Sequence, residues 1–148
     1  MEGLIIRQYQ LSDKQKLLEI LKLNVPDYFA ESEVKDLDHY LDCEIENYFV
    51  ATLNGELVGA GGINFELDYQ IAKISWDFVL PALHGKGIGR ELLTHRLNFL
   101  NTIATVEKVT VRTSQHAFQF YEKSGFILKE IRKDYWAKGF DLYSMVLA

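Results

Sequence analysis

The chain has little cysteine, little proline and no long apolar run. With Cys43 as the only cysteine in 148 residues, an intrachain disulfide is impossible. Cys43 reads as an ordinary buried or half-buried thiol, and a reducing, cytoplasmic setting is expected. No stretch is apolar enough for a signal peptide or a membrane span, so no membrane partner is expected. Sixteen basic and 21 acidic residues give a net charge of −5 with both signs interspersed. There is thus no basic surplus for nucleic acid and no like-charged block of the kind found in disordered tails. His39, His84, His95 and His116 lack the spacing and the Cys or carboxylate companions of a metal site, so no metal is expected. The two prolines, Pro26 and Pro81, each stand where a periodic segment stops. Repeats, linkers and low-complexity stretches are absent, so residues 1–148 are expected to form a single domain.

What is present is 48% hydrophobic residues, enough for a core of ordinary size, arranged in alternating periods. Leu4 to Tyr9 reads as a strand. Ser12 with Gln15 three residues on predicts a capping box for a helix carrying Leu17, Leu18, Ile20 and Leu21. A second helix is expected from about Ser32, with Val34, Leu37, Tyr40 and Leu41 at helical spacing. Tyr48–Leu53 and Glu56–Ala60 flank Asn54-Gly55, a pair suited to a two-residue hairpin turn. A third strand, Ala72–Leu80, closes at Pro81. A long amphipathic helix is expected from Gly87 to about Ala104. A strand (Lys108–Arg112), a helix (Gln115–Lys123) and two strands (Phe126–Ile131 and Phe140–Leu147) complete the chain. The order β-α-α-β-β-β-α-β-α-β-β predicts an α/β chain of the α+β type, with one mixed, mainly antiparallel sheet of about six or seven strands and helices on both faces.

Between the third strand and the long helix lies His84-Gly85-Lys86-Gly87-Ile88-Gly89-Arg90. Glycines at alternate positions let the backbone curl and aim successive amides at one anion. The helix N-terminus adds its dipole, and Lys86 and Arg90 add formal charge. A pyrophosphate suits such a cradle. Two familiar phosphate loops fail on spacing: Gly85-Lys86 is followed by Gly87 rather than Ser or Thr, and the glycines are one residue too close for the dinucleotide fingerprint.

The segment resembles the coenzyme-binding motif of the GCN5-related N-acetyltransferase (GNAT) superfamily, Gln/Arg-x-x-Gly-x-Gly/Ala after a strand ending Val-x-Pro. Here Val79-Leu80-Pro81 precedes it, and His84 stands in the Gln/Arg position. Downstream, Ser114 to Phe126 is similar to the family's Asn-x-x-Ala-x-x-Phe-Tyr-Glu-Lys-x-Gly-Phe block, with Ser114 in place of Asn. With the hairpin and the first helices, the resemblance spans nearly the whole chain. It implies acetyl-coenzyme A as co-substrate and an amine as acceptor, joined by direct attack in a ternary complex. The implied coenzyme contacts are Phe78 and Val79 through their amides, His84, Gly85, Lys86, Gly87, Ile88, Gly89, Arg90, Ser114, Ala117, Phe120 and Tyr121.

The resemblance also implies that Tyr121 is the general acid, a phenol of pKa about 10 against about 8.5 for a thiol. Without the motif, Tyr121 would read as a core aromatic. The family often uses a Glu on the third strand as base; here that strand carries only Asp77, which could order a water, hold the incoming ammonium or serve the loop structurally. Glu66, Asp68 and Tyr69 are candidate acceptor contacts. Tyr135 and Trp136 are expected to pack in the core, the alternatives being a wall of the acceptor pocket or a dimer contact. A rival reading is a catalytically degenerate module that binds or senses an acyl-coenzyme A. A monomer and a homodimer are both compatible with the sequence.

Overall fold

Asn54 and Gly55 both adopt left-handed backbone (φ 52° and 86°) in the computed structural model, which describes residues 1–148. That turn joins β2 (Asn47–Leu53) to β3 (Glu56–Glu66) as the sequence predicts, although β3 runs six residues further than the expected Ala60. β1 (Leu4–Gln8) lies on the far side of β2, and β4 (Ile71–Val79) continues the meander beyond β3. β5 (Lys108–Thr113) joins β4 in parallel, and β7 (Phe140–Leu147) inserts antiparallel between β5 and β6 (Phe126–Ala137). The result is one seven-stranded mixed sheet in the order β1-β2-β3-β4-β5-β7-β6.

Each face of the sheet carries its own apolar core. On one face α1 (Lys14–Leu23) and α2 (Glu33–Cys43) bury Leu17, Ile20, Leu21, Leu37 and Leu41 against Val50, Ala60 and Phe78. On the other, α3 (Ile88–Leu100) buries Ile88, Leu92, Leu93 and Leu100 against Ile63, Ile74 and Val111. Fully burying each such side chain contributes about 1.5–3 kcal/mol, so the two cores fix the helices to the sheet from opposite sides.

Several local expectations are corrected. The first helix is not capped by Ser12 and Gln15. Gln10 and Asp13 form the capping box over a single 3-10 turn, because the Asp13 carboxylate is drawn back by Arg7 at 2.8 Å and accepts the Gln10 amide at 2.8 Å. The long helix ends at Leu100 rather than near Ala104, and α4 covers only Phe118–Lys123. β6 reaches Ala137, well past Ile131: Asp134 takes a left-handed φ of 53° inside an irregularity, and the chain turns at Lys138-Gly139. Cys43 is exposed rather than buried.

Candidate active site

The site begins with one extra residue in β4. Gly62 pairs with Ser75 and Ala60 with Phe78, so two steps on β3 face three on β4, and Trp76 takes a left-handed φ of 49° to absorb the surplus. The bulge is held from below, where the Tyr48 hydroxyl donates to the Trp76 carbonyl at 2.8 Å. Past the bulge β4 bends away from β5, and their pairing stops at Ile74 opposite Val111. The gap is a cleft of about 1400 Å³ between the C-terminal half of β4, the loop into α3, and α4. Single-ligand pockets run to about 1,000 Å³, so the cleft has room for two substrates.

The Leu80 amide donates to Val58 of β3 at 2.8 Å. Alternation along the strand then turns the Phe78 amide toward β3 as well, and leaves the Val79 amide facing the gap. Of the two amides expected to serve the coenzyme, the geometry therefore offers one. The Val79 carbonyl accepts from Asn24 Nδ2 at 3.1 Å and from His84 Nε2 at 3.0 Å, which fixes the His84 tautomer with its proton on Nε2. His84 thus braces the loop end of β4, with its ring edge-on to Tyr28 at 4.7 Å.

In the loop, Gly85 and Gly87 have φ of 77° and 92°, and a Cβ on either would meet nothing within 4 Å. These glycines serve backbone conformation rather than space. Gly87 is the N-cap of α3, whose first-turn amides open toward the cleft. At Gly89 the backbone is ordinarily helical, and a Cβ would meet the Phe120 ring at 3.5 Å, a normal packing contact. Ile88, Gly89 and Arg90 line the cleft together with His84, Gly85 and Gly87, whereas Lys86 is exposed and lies off the wall. Ser114, Ala117, Phe120 and Tyr121 line the opposite wall. Ser114 Oγ accepts the His116 amide at 3.2 Å, and its carbonyl accepts the Ala117 and Phe118 amides, so it starts the turn into α4.

At the base of the cleft the two expected catalytic residues meet: the Tyr121 hydroxyl donates to Asp77 Oδ2. Asp77 Oδ1 in turn pairs with Arg96 Nη2 of α3. Burial pushes the Asp77 carboxyl up from its ordinary range, with Arg96 and Tyr121 opposing. Burial, then the Asp77 charge, push the Tyr121 phenol well above its usual value. Direct transfer from a phenol of pKa about 10 to a thiolate whose acid has pKa about 8.5 already runs uphill by about 2 kcal/mol, and this environment steepens it. A phenol acting alone in this setting is therefore a poor proton donor to a thiolate. Arg96 was not singled out from the sequence. The available signal was its place on the apolar stripe of α3, three residues after Leu93 and four before Leu100.

On the α1–α2 face the cleft is walled by Tyr28, Phe29, Tyr40 and Trp76, with Glu44 and Glu46 at the edge. Tyr40 donates to Asn64 Oδ1 at 2.5 Å, and Asn64 Nδ2 donates to Glu46 at 2.8 Å. Trp136 does not pack in the core as expected: it lines the cleft, its Nε1 donating to the Thr113 carbonyl at 3.1 Å. Tyr135 is 43% exposed beside the Arg112 guanidinium. Glu66, Asp68 and Tyr69 lie off the wall, and Glu66 pairs with Lys73 at 3.1 Å.

A cleft between diverging strands, with a glycine loop on one wall and a buried tyrosine on the other, has counterparts among known proteins. Residues 19–148 match the family described as acetyltransferase (GNAT) domain. An N-alpha-acetyltransferase of Sulfurisphaera tokodaii is 28% identical over 95% of this chain and 90% of its own length. The N-alpha-acetyltransferase RimI of Mycobacterium tuberculosis is 34% identical over 67% of this chain and 64% of its own. A solved aminoglycoside 6'-N-acetyltransferase complexed with coenzyme A superposes with a TM-score of 0.76 at 16% identity, covering 96% of this chain and 95% of that one. The chain belongs to the GNAT acetyltransferase family and is an acetyl-coenzyme A-dependent N-acetyltransferase.

Proposed function

We propose that the chain is one N-acetyltransferase domain that acetylates the α-amine of a peptide or protein N-terminus, with Tyr121 and Asp77 passing the proton. The relatives named N-alpha-acetyltransferase support the acceptor class. The hydrogen bond from Tyr121 to Asp77 at the base of the cleft carries the mechanism. The coenzyme pyrophosphate lies against the Gly85–Gly89 amides and the start of α3, with Arg90, His84 and the off-wall Lys86 as the polar side chains nearest it. Ser114, Ala117 and Phe120 bound the pantetheine arm, with Phe78 as apolar floor. The Val79 amide polarises the thioester carbonyl.

The neutral amine attacks that carbonyl, forming a C–N bond and placing charge on the oxygen. The nitrogen then gives a proton to the Tyr121 oxygen while Tyr121 passes its own to Asp77 Oδ2. As the C–S bond breaks, sulfur keeps the electron pair and takes a proton from Tyr121, and Asp77 returns its proton to the phenol. The products are an amide and the free thiol, and the enzyme ends as it began. Because the proton comes finally from a carboxyl, its delivery to the thiolate is downhill.

The degenerate acyl-coenzyme A module finds no support in the relatives' names or in a cleft that keeps this pair. No helix is long and apolar enough to cross a membrane. The acidic net charge and lone cysteine support a cytoplasmic protein that does not bind nucleic acid. Coenzyme A release with a free-N-terminus peptide, an N-terminally blocked peptide with one lysine, and spermidine tests the acceptor class. Turnover with the first alone, with the added mass on the α-amine, is expected; turnover confined to lysine or spermidine overturns it.

A further inference from the structure

Arg96 is the bulkiest of the wholly buried side chains, and it sits among leucines on the apolar side of α3. An isolated guanidinium there loses its hydration with nothing in return, and a methionine would fill much the same space. Three contacts fix it: Nε donates to the Leu92 carbonyl at 3.1 Å, Nη1 to the Gly62 carbonyl at 3.0 Å, and Nη2 meets Asp77 Oδ1. Neither Asp77 Oδ1 nor Arg96 Nη2 has any hydrogen-bond partner beyond this ion pair. β3 presents no side chain to the pair, since a Cβ on Gly61 would lie 2.1 Å from Asp77 Oδ1. The charged and titratable groups facing Asp77 are Arg96 from α3 and Tyr121 from α4, with Tyr48 from β2 behind the bulge.

We propose that Arg96 is a positioning residue for acetyl transfer, pinning one oxygen of Asp77 so that the other is presented to the Tyr121 hydroxyl at the base of the cleft. The inference rests on the reading of Tyr121 given above. The carboxylate divides its work: Oδ1 is anchored to a guanidinium that is itself tied to two backbone carbonyls, and Oδ2 exchanges the proton. The anchor also favours ionised Asp77 between turnovers, ready to receive. Lysine cannot reproduce it, because an ammonium has no planar fork to hold a carboxylate and two carbonyls at fixed angles.

The test compares Arg96→Lys, Arg96→Met, Asp77→Asn, Tyr121→Phe and the double variant Asp77→Asn/Arg96→Met by kcat, KM for acetyl-coenzyme A and pH profile. Arg96→Lys is expected to lower kcat on the order of tenfold to a hundredfold, the usual size of a misplacement effect, with the KM for acetyl-coenzyme A held within about twofold. The acidic limb of kcat/KM is expected to move to higher pH in Arg96→Met, because the group that holds Asp77 ionised is gone. The double variant, which removes both buried charges and so keeps the comparison valid if Arg96→Met alone does not fold, should turn over no more slowly than Asp77→Asn. A wild-type kcat in Arg96→Lys, an unmoved acidic limb in a folded Arg96→Met, or a further loss of kcat in the double variant overturns the proposal. Should Tyr121→Phe itself turn over normally, the reading beneath it falls as well; if Tyr121→Phe is slow and the Arg96 variants are not, the positioning role alone is wrong.

Discussion

Gly61 and Arg96 occupy a space with no room for one more carbon: a Cβ on Gly61 would stand 2.7 Å from the guanidinium carbon and 2.8 Å from Nη1. A methyl group at Gly61 would therefore push the guanidinium, the Asp77 carboxylate, or both out of register. Gly61→Ala is expected to lower kcat on the order of tenfold or more and to destabilise the fold by about 1–3 kcal/mol, the usual range for overpacking. Calorimetric binding of coenzyme A should stay near wild type, because the loop at Gly85–Gly89 is untouched. A wild-type kcat would show that the pair tolerates displacement.

Tyr121→Phe removes the hydroxyl while leaving the ring against Phe120 and Phe126. It should lower kcat about 10²-fold or more, the scale of acid–base catalysis, with little change in the KM for acetyl-coenzyme A. Steady-state kinetics at saturating acceptor check this, and an unchanged turnover number would remove Tyr121 from the reaction.

The left-handed glycines separate binding from stability. Gly87→Ala costs about 1–2 kcal/mol of backbone strain and distorts the cradle, whereas Gly55→Ala carries comparable strain in a hairpin turn that does not line the cleft. Both should melt lower, but only Gly87→Ala should raise the KM for acetyl-coenzyme A. In the wild type, acetyl-coenzyme A should raise Tm while ATP and NAD do not. Equal stabilisation by ATP would contradict the assignment of the loop.

Asp13 gives a pH-dependent prediction remote from the site. The Arg7 guanidinium beside it holds its carboxyl below the ordinary range, so its contribution is present above the unfolded-state value of about 3.9 and is lost as pH falls through the lower folded value. Asp13→Ala should cost about 1–2 kcal/mol at pH 7, the range for losing a capping hydrogen bond, and the difference from wild type should narrow as the medium becomes more acid than about pH 3.9. Urea unfolding across that range measures both.

The sheet's centre was legible in the sequence because Asn54-Gly55, Pro81 and the glycine loop each demand one local conformation. The Ser12 cap does not form because the competing cap depends on Arg7, which only folding brings within reach of Asp13. The last six residues of β6 carry no sequence signal, because an edge strand with charged residues from Lys129 to Asp134 buries too little to show a period. Tyr121 could be named from its motif and Asp77 as the only carboxylate of its strand, but their meeting could not. It depends on the β4 bulge, whose surplus residue is visible only against β3, and on Arg96, whose place on the apolar stripe of α3 signals burial but not its partner.

The parting of β4 from β5 makes the cleft a slot through a wall rather than a pit in a surface. Its lining is drawn from both faces of the sheet, the glycine loop on the α3 side and the aromatics on the α1–α2 side, so in the proposed reaction the two reactants meet from opposite faces. A pit admits only what fits inside it. A slot asks the acceptor for a single protruding amine and leaves the bulk of its owner standing outside, so the size of the acceptor is set by the surroundings of the doorway and not by the chamber where the bond is made.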